Sequence, residues 1–111
     1  MADFEHLKSF CGPKELQELS STFAAESATL LIDLSQSINS KDADRAKRLA
    51  HQLKGLAATL AADDMQKLAA SMESHIKESN WQPAAHEYEQ LAETVVQVNN
   101  DLKNVAFPDK L

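Results

Sequence analysis

His51 has the sequence surroundings that best suit nucleophilic chemistry. On a helical wheel His51, Lys54, Gly55 and Ala58 fall on one face, at spacings of three, four and seven residues. A neutral imidazole is a nucleophile, and an ammonium group one turn away can stabilise an anion bound to it. Glycine within a helix costs about 1 kcal/mol relative to alanine, but here Gly55 and Ala58 leave space beside the imidazole, and Ala62 is expected to extend that space. The pattern predicts a surface nucleophile that a large partner can approach.

Positive charge is concentrated around His51, although the chain as a whole is acidic. The 111 residues include 11 Lys and Arg against 17 Asp and Glu, which gives a net charge of −6. Lys47 and Arg48 lie one turn before His51, and Lys54 lies one turn after it. Such a cluster attracts a phosphoryl group or an acidic partner surface. The acidic balance of the rest of the chain argues against a nucleic-acid partner.

Apolar residues recur at helical spacing along nearly the whole chain, which predicts an all-α fold. We expect a short helix from Asp3 to Phe10, followed by four long amphipathic helices. Residues suited to caps and first turns set their starts, at Pro13, Asp42, Asp63 and Asn80. Four such helices with short polar connections bury their apolar faces most simply as an antiparallel four-helix bundle.

The helix that carries His51 has a second face that is suited to the core of this bundle. That predicted core face consists of Ala46, Leu49, Leu53, Leu56, Ala57 and Leu60. The short N-terminal helix is expected to cover the core with apolar residues spaced three apart, which are Phe4, Leu7 and Phe10.

Length and composition favour one small cytoplasmic domain spanning residues 1–111. The single Cys11 cannot form an internal disulfide bond, which fits a reducing compartment. No basic segment followed by an apolar run opens the chain, and no stretch approaches the roughly 18 apolar residues of a membrane span. With only 2 Gly, the chain has no glycine-rich loop for a nucleotide phosphate. We therefore expect a protein that is not an enzyme with its own ATP site.

The segment that begins at His51 resembles the signature of histidine-containing phosphotransfer (HPt) domains. It reads H-Q-L-K-G followed by L-A-A-T-L-A-A, and the family pattern is H-x-L/I-K-G followed by small residues. The order and length of the helices are similar over essentially the whole chain, although Ala61 stands where the family often has Gly. The resemblance implies a four-helix bundle whose exposed His accepts a phosphoryl group from a receiver-domain aspartate and passes it to another receiver.

This resemblance also implies roles for individual residues. His51 is the phosphoacceptor, Lys54 is the cation near the phosphoryl oxygens, and Gly55 admits the receiver. The position that faces the His from the adjoining helix is Glu73, which could hydrogen-bond neutral His51 yet would repel a phosphoryl group. Lys77, four residues later, is expected to pair with Glu73 and to have a minor role at the phosphate.

The implied partners are response-regulator receiver domains and a hybrid sensor kinase, and the chain is expected to be monomeric. It needs no cofactor of its own, because Mg²⁺ would be bound by the receiver. We expect no metal site in this chain, since isolated His residues are weak evidence for one, although spacing alone leaves Met72 and His86 open as haem ligands.

Three other functions fit parts of the pattern. The first is a bundle that binds a partner without phosphate chemistry. The second is the dimerisation and phosphoacceptor segment of a sensor kinase, against which Gln52 and the proline-free stretch that follows it argue. The third is the phosphoacceptor domain of a chemotaxis-type kinase, which shares both bundle and motif.

Overall fold

The computed structural model describes residues 4–108, and within this range all regular structure is helical. A 3-10 helix, Glu5–Ser9, precedes α1 (Pro13–Asn39), α2 (Ala43–Leu60), α3 (Asp63–Lys77) and α4 (Trp81–Ala106). The four α-helices form a ring in which α1 packs on α2 and α4, and α3 packs on the same two helices. Short connections make sequential neighbours antiparallel, so the predicted all-α four-helix bundle is confirmed. None of the helices within residues 4–108 is long and apolar enough to cross a membrane.

Each α-helix begins at or beside the residue predicted to start it. Pro13 is the first residue of α1, where its missing N–H is not needed. The Asp42 carboxylate caps α2 by accepting a hydrogen bond from the backbone N–H of Arg45 at 3.2 Å. Asp63 opens α3 and is favoured there by the helix dipole. Asn80 is the N-cap residue of α4, but its side chain makes no capping hydrogen bond, so that part of the prediction is wrong.

The core is formed by the apolar faces of all four helices. Large side chains that are almost fully buried include Leu34, Leu53, Met65, Met72, Leu91 and Leu102. Burying an aliphatic side chain of this size contributes roughly 1.5–3 kcal/mol, so the core fixes how the helices are aligned. Leu56 is the exception among the predicted core residues of α2, because it is only partly buried at the edge of the core.

The turn between α2 and α3 explains a second departure from prediction. Ala61 adopts a left-handed conformation with φ 55°, which ends α2. The next N–H, that of Ala62, then bonds back to the carbonyl of Ala57 at 2.8 Å. This geometry turns Ala62 into the core, where it is 2% exposed. The prediction that Ala62 extends the exposed small-residue face is therefore wrong.

The N-terminal segment covers one end of the bundle, as expected, but only in part. Phe4 and Leu7 are buried, whereas Phe10 is 78% exposed and does not join the core. The segment forms a 3-10 helix and packs on α1. Asp3, its predicted first residue, lies outside the described residues.

The two longest helices, α1 and α4, pack beside each other, and two side-chain hydrogen bonds join them. The Tyr88 hydroxyl donates to the carbonyl oxygen of Leu31 at 2.9 Å near one end, and the Gln17 amide donates to that of Ala106 at 3.4 Å near the other. Because α2 and α3 have only 18 and 15 residues, against 27 and 26 for α1 and α4, they cover only part of this pair. The 3-10 helix packs on the remaining end of α1.

Candidate functional site

His51 lies on the outer face of α2 and joins a hydrogen-bonded group of three side chains. The imidazole is 66% exposed, and its Nδ1 lies 3.2 Å from Oε2 of Glu73. The other carboxylate oxygen of Glu73 accepts a hydrogen bond from Nζ of Lys54 at 2.8 Å. Glu73 is therefore hydrogen-bonded to both His51 and Lys54, the two residues predicted from the sequence to form the centre of the site.

The packing of α3 against α2 produces this arrangement. His51 and Lys54 are three residues apart, so their side chains leave α2 on neighbouring turns of one face. Glu73 extends from the adjacent face of α3, and its side chain is 23% exposed. A single carboxylate with two oxygens can then accept from both partners at once.

The hydrogen bond to Glu73 determines which nitrogen of His51 is available for chemistry. Burial raises the pKa of the Glu73 carboxyl, but the hydrogen bonds and positive charges of Lys54 and His51 outweigh burial and lower that pKa below its ordinary value of 4.5. Glu73 is therefore a carboxylate at neutral pH and can only accept hydrogen bonds. Nδ1 of His51 must be the donor, which in the neutral imidazole leaves the lone pair on Nε2.

Small residues keep the surface around His51 open. A Cβ atom built on Gly55 would meet no atom within 4 Å apart from the adjoining residues and helix backbone, so this glycine is not required by packing inside the chain. Ala58, one turn further along α2, is also exposed. Open space beside an exposed imidazole is what close approach by a second protein needs.

A polar groove of about 370 Å³ lies on the surface between α2 and α3, beside this group of three side chains. It is lined by Lys47, Lys54, Ala70, Glu73, Ser74 and Lys77. Glu73 is bonded to Lys54 and His51, so the expected pairing of Lys77 with Glu73 is wrong. Ala70 and Ser74 were not predicted, although their spacing from Glu73 and Lys77 places all four residues on one face of α3.

An apolar groove of about 530 Å³ lies on the other side of α2, against α1. Its lining consists of Ala25, Glu26, Thr29, Leu30, Gln52 and Leu56, which accounts for the partial exposure of Leu56. Arg48 is exposed on α2 and lines neither of these two grooves. The α1 residues of this groove could not be predicted from local spacing, because only the packing of α1 on α2 brings them there.

Comparison with protein families connects this geometry to a known group of proteins. The family model described as "Hpt domain" matches residues 18–104, which covers His51, Lys54, Gly55 and Glu73. The chain belongs to the Hpt domain family. Members of this family act in histidine phosphotransfer, as phosphoryl carriers that interact with response-regulator receiver domains. Comparison with curated proteins and with solved structures gave no significant match.

This Hpt domain has a second histidine bonded to a carboxylate, and it provides a contrast with His51. Nδ1 of His75 lies 2.7 Å from Oε1 of Glu87, whose other oxygen accepts a hydrogen bond from the Ser71 hydroxyl. These contacts connect α3 to α4. His75 is 33% exposed, half as much as His51, and no lysine bonds to its carboxylate partner within residues 4–108. Both histidines therefore have a carboxylate partner, but His51 differs from His75 in its greater exposure and in the lysine bonded to that partner.

Potential metal ligands are not clustered in the part of the Hpt domain that the structure describes. Residues 4–108 contain no group of three or more His, Cys, Asp or Glu side chains placed to hold a metal ion. Met72 is fully buried in the core, while His86 is exposed on α4.

Proposed function

We propose that His51 of this Hpt domain carries a phosphoryl group between two receiver domains. The observation that carries the proposal is the exposed imidazole whose Nδ1–H is held by Glu73 while Lys54 lies beside it. Nε2 has the free lone pair, and Gly55 leaves the approach to it open. A surface that only bound a partner would require neither a fixed tautomer nor a paired lysine at the same point.

In the proposed reaction, the lone pair of His51 Nε2 attacks the phosphorus atom of an aspartyl phosphate on the first receiver. The new N–P bond forms as the bond between phosphorus and the aspartate oxygen breaks, and the aspartate leaves as a carboxylate. The reverse sequence delivers the phosphoryl group to the aspartate of a second receiver. Phosphoryl transfer depends mainly on positioning and charge stabilisation, which this small set of side chains supplies.

Glu73 and Lys54 have complementary roles in this scheme. Glu73 orients the imidazole and stabilises the positive charge that the ring gains on attack. Lys54 neutralises Glu73, so that the carboxylate repels the incoming phosphoryl oxygens less, and its remaining N–H groups can donate to those oxygens.

The partners of the domain follow from this scheme. We infer that a hybrid sensor kinase and response-regulator receivers exchange phosphoryl groups with His51, that each receiver supplies the Mg²⁺, and that the domain acts as a cytoplasmic monomer. Lys47, Arg48, Ala58 and Lys77 surround the approach and are proposed to contact the receiver.

The test is transfer of radiolabelled phosphate from receivers of the same organism. Wild-type chain is expected to gain a label that is lost in acid and kept in base, as for phosphohistidine. His51→Gln should abolish labelling while its thermal unfolding stays nearly unchanged, and the control His75→Gln should be labelled like the wild type. Full labelling of His51→Gln would refute the assignment, and binding of a receiver without any labelling of the wild type would favour a phosphate-independent adaptor.

A further inference from the structure

The groove between α2 and α3 contains more positive charge than the chemistry at His51 uses. Three lysines and one glutamate line it, in a protein whose net charge is −6. The nearest carboxylate, Glu73, is already bonded to Lys54 and His51. Lys47 and Lys77 make no ion pair or side-chain hydrogen bond with any residue in the range 4–108.

The positions of these two lysines separate them from the reacting nitrogen. Lys47 precedes His51 by four residues, which is about 6 Å along α2, and Lys77 lies one turn beyond Glu73 on α3. Lys54 is the cation that contacts the site itself. Arg45, another cation of the same segment, pairs with Asp33 of α1 at 3.6 Å. The two unpaired ammonium groups are thus free to bind an anion that is not the transferred phosphoryl group.

We propose that this basic groove, lined by Lys47, Ser74 and Lys77 beside Lys54, binds acidic side chains of the receiver domain and selects receivers that carry them. The inference rests on the proposed phosphotransfer function, since a receiver delivering phosphate to His51 must cover the adjoining surface. A volume of about 370 Å³ is at the lower end of the range for ligand pockets and suits one or two side chains rather than a helix.

The groove on the opposite side of α2 is apolar, so the two sides of His51 differ in charge. This difference favours one orientation of the docked receiver. The receiver is expected to place its acidic side chains on the α3 side of His51, where opposite charges attract, and not on the α1 side. Attraction between exposed charges acts mainly on the rate of association and is screened by salt. Lys47 and Lys77 therefore act as partner-selecting residues and not as catalytic ones.

The experiment compares two charge-reversed variants of the full chain with a receiver domain that labels wild-type His51. Lys47→Glu/Lys77→Glu changes the groove, and Lys14→Glu/Lys67→Glu makes the same change in net charge at exposed sites outside it. At low salt the groove variant should associate about tenfold or more slowly than the wild type, because steering by charge changes association rates by that order. The control should change the rate at most about twofold, and near 0.5 M salt the difference should largely disappear.

Neutral substitutions and a reciprocal change complete the test. Lys47→Gln/Lys77→Gln should give an intermediate rate, and replacing an acidic receiver residue by lysine should restore part of the association with Lys47→Glu/Lys77→Glu. Equal rates for the groove and control variants, with His51 still labelled, would overturn the groove proposal and leave the phosphotransfer function standing. Absence of labelling in the wild type with every receiver would overturn both.

Discussion

At the scale of single residues, the site depends on one carboxylate that serves two partners. Glu73 fixes the tautomer of His51 through one oxygen and binds Lys54 through the other. A negative charge next to His51, the proposed nucleophile for phosphoryl transfer, would ordinarily be unfavourable. Pairing with Lys54 reduces that cost, so the contributions of Glu73 and Lys54 must be interdependent.

The lowered pKa of Glu73 predicts how its charge contributes to stability as the pH changes. A carboxyl group whose pKa is lower in the folded state stabilises the fold above its ordinary pKa of 4.5, and the contribution is lost as the pH falls through the folded value. In a His51→Gln background, where the imidazole no longer titrates, we expect Glu73→Gln to cost about 0.2–1 kcal/mol near neutral pH, because the pair with Lys54 is partly exposed. Urea unfolding from pH 7 to 3 measures it. A cost that stayed constant down to about pH 3 would contradict the prediction.

Lys54→Ala is predicted to slow phosphotransfer without abolishing it. Losing one charge-assisted hydrogen bond costs about 1.5–3 kcal/mol, or roughly ten- to hundredfold in rate, and less if the contact stays hydrated. Lys54→Arg should recover part of the rate, and Lys54→Glu should be slower than Lys54→Ala. The double variant Lys54→Ala/Glu73→Gln should transfer faster than Lys54→Ala, because it leaves no carboxylate without its neutralising lysine beside the phosphoryl group. Single-turnover rates at low and high salt decide this, and equal rates for Lys54→Ala and Lys54→Glu would show that Lys54 has no electrostatic role.

At the scale of single helices, Gly55 lowers the helix propensity of α2 but leaves the surface of the helix open. Gly55 is in the helix interior and no neighbouring atom prevents a side chain there. Gly55→Ala is therefore expected to stabilise the fold by roughly 0.5–1 kcal/mol. Gly55→Gln should remain folded but bind the receiver more weakly, whereas Ala85→Gln, at an exposed site on α4, should bind like the wild type. Urea unfolding and receiver titrations measure both effects, and unchanged binding by Gly55→Gln would mean that close approach at this position is not needed.

The helix pattern and the centre of the site could be predicted from the sequence because both depend on local spacing. His51, Lys54 and Gly55 lie within five residues, and capping residues such as Asp42 act within one turn. The lysine partner of Glu73 was misassigned because it depends on how α3 is placed against α2. Local spacing favoured pairing of Glu73 with Lys77, four residues away, but the interhelical geometry favours Lys54. Ala62 was misplaced for a similar reason, since the left-handed Ala61 ends the helix before it.

At the scale of the whole molecule, the bundle separates the site from the end that the N-terminal segment covers. The Tyr88–Leu31 hydrogen bond, together with the contact of Glu87 with His75, places the middle of α1 near the level of the site. Leu16, near the start of α1, is fifteen residues before Leu31, which corresponds to about 22 Å along the helix. The 3-10 helix packs on α1 and buries Phe4, so we expect its contacts to support stability and not the chemistry.

Phe4→Ala tests this separation of stability from function. Phe4 is 1% exposed, and replacing a buried Phe by Ala costs about 3–5 kcal/mol, a large part of the 5–15 kcal/mol that typically stabilises a domain. The control Phe10→Ala removes a ring that is 78% exposed and should change stability by no more than about 0.5 kcal/mol. At a temperature where circular dichroism shows both variants folded, His51 should be labelled by the receiver at the wild-type rate in each, because the α2–α3 contacts around Glu73 are unchanged. Slower labelling of folded Phe4→Ala would show that the covered end of the bundle also holds α2 and α3 in the geometry that phosphotransfer requires.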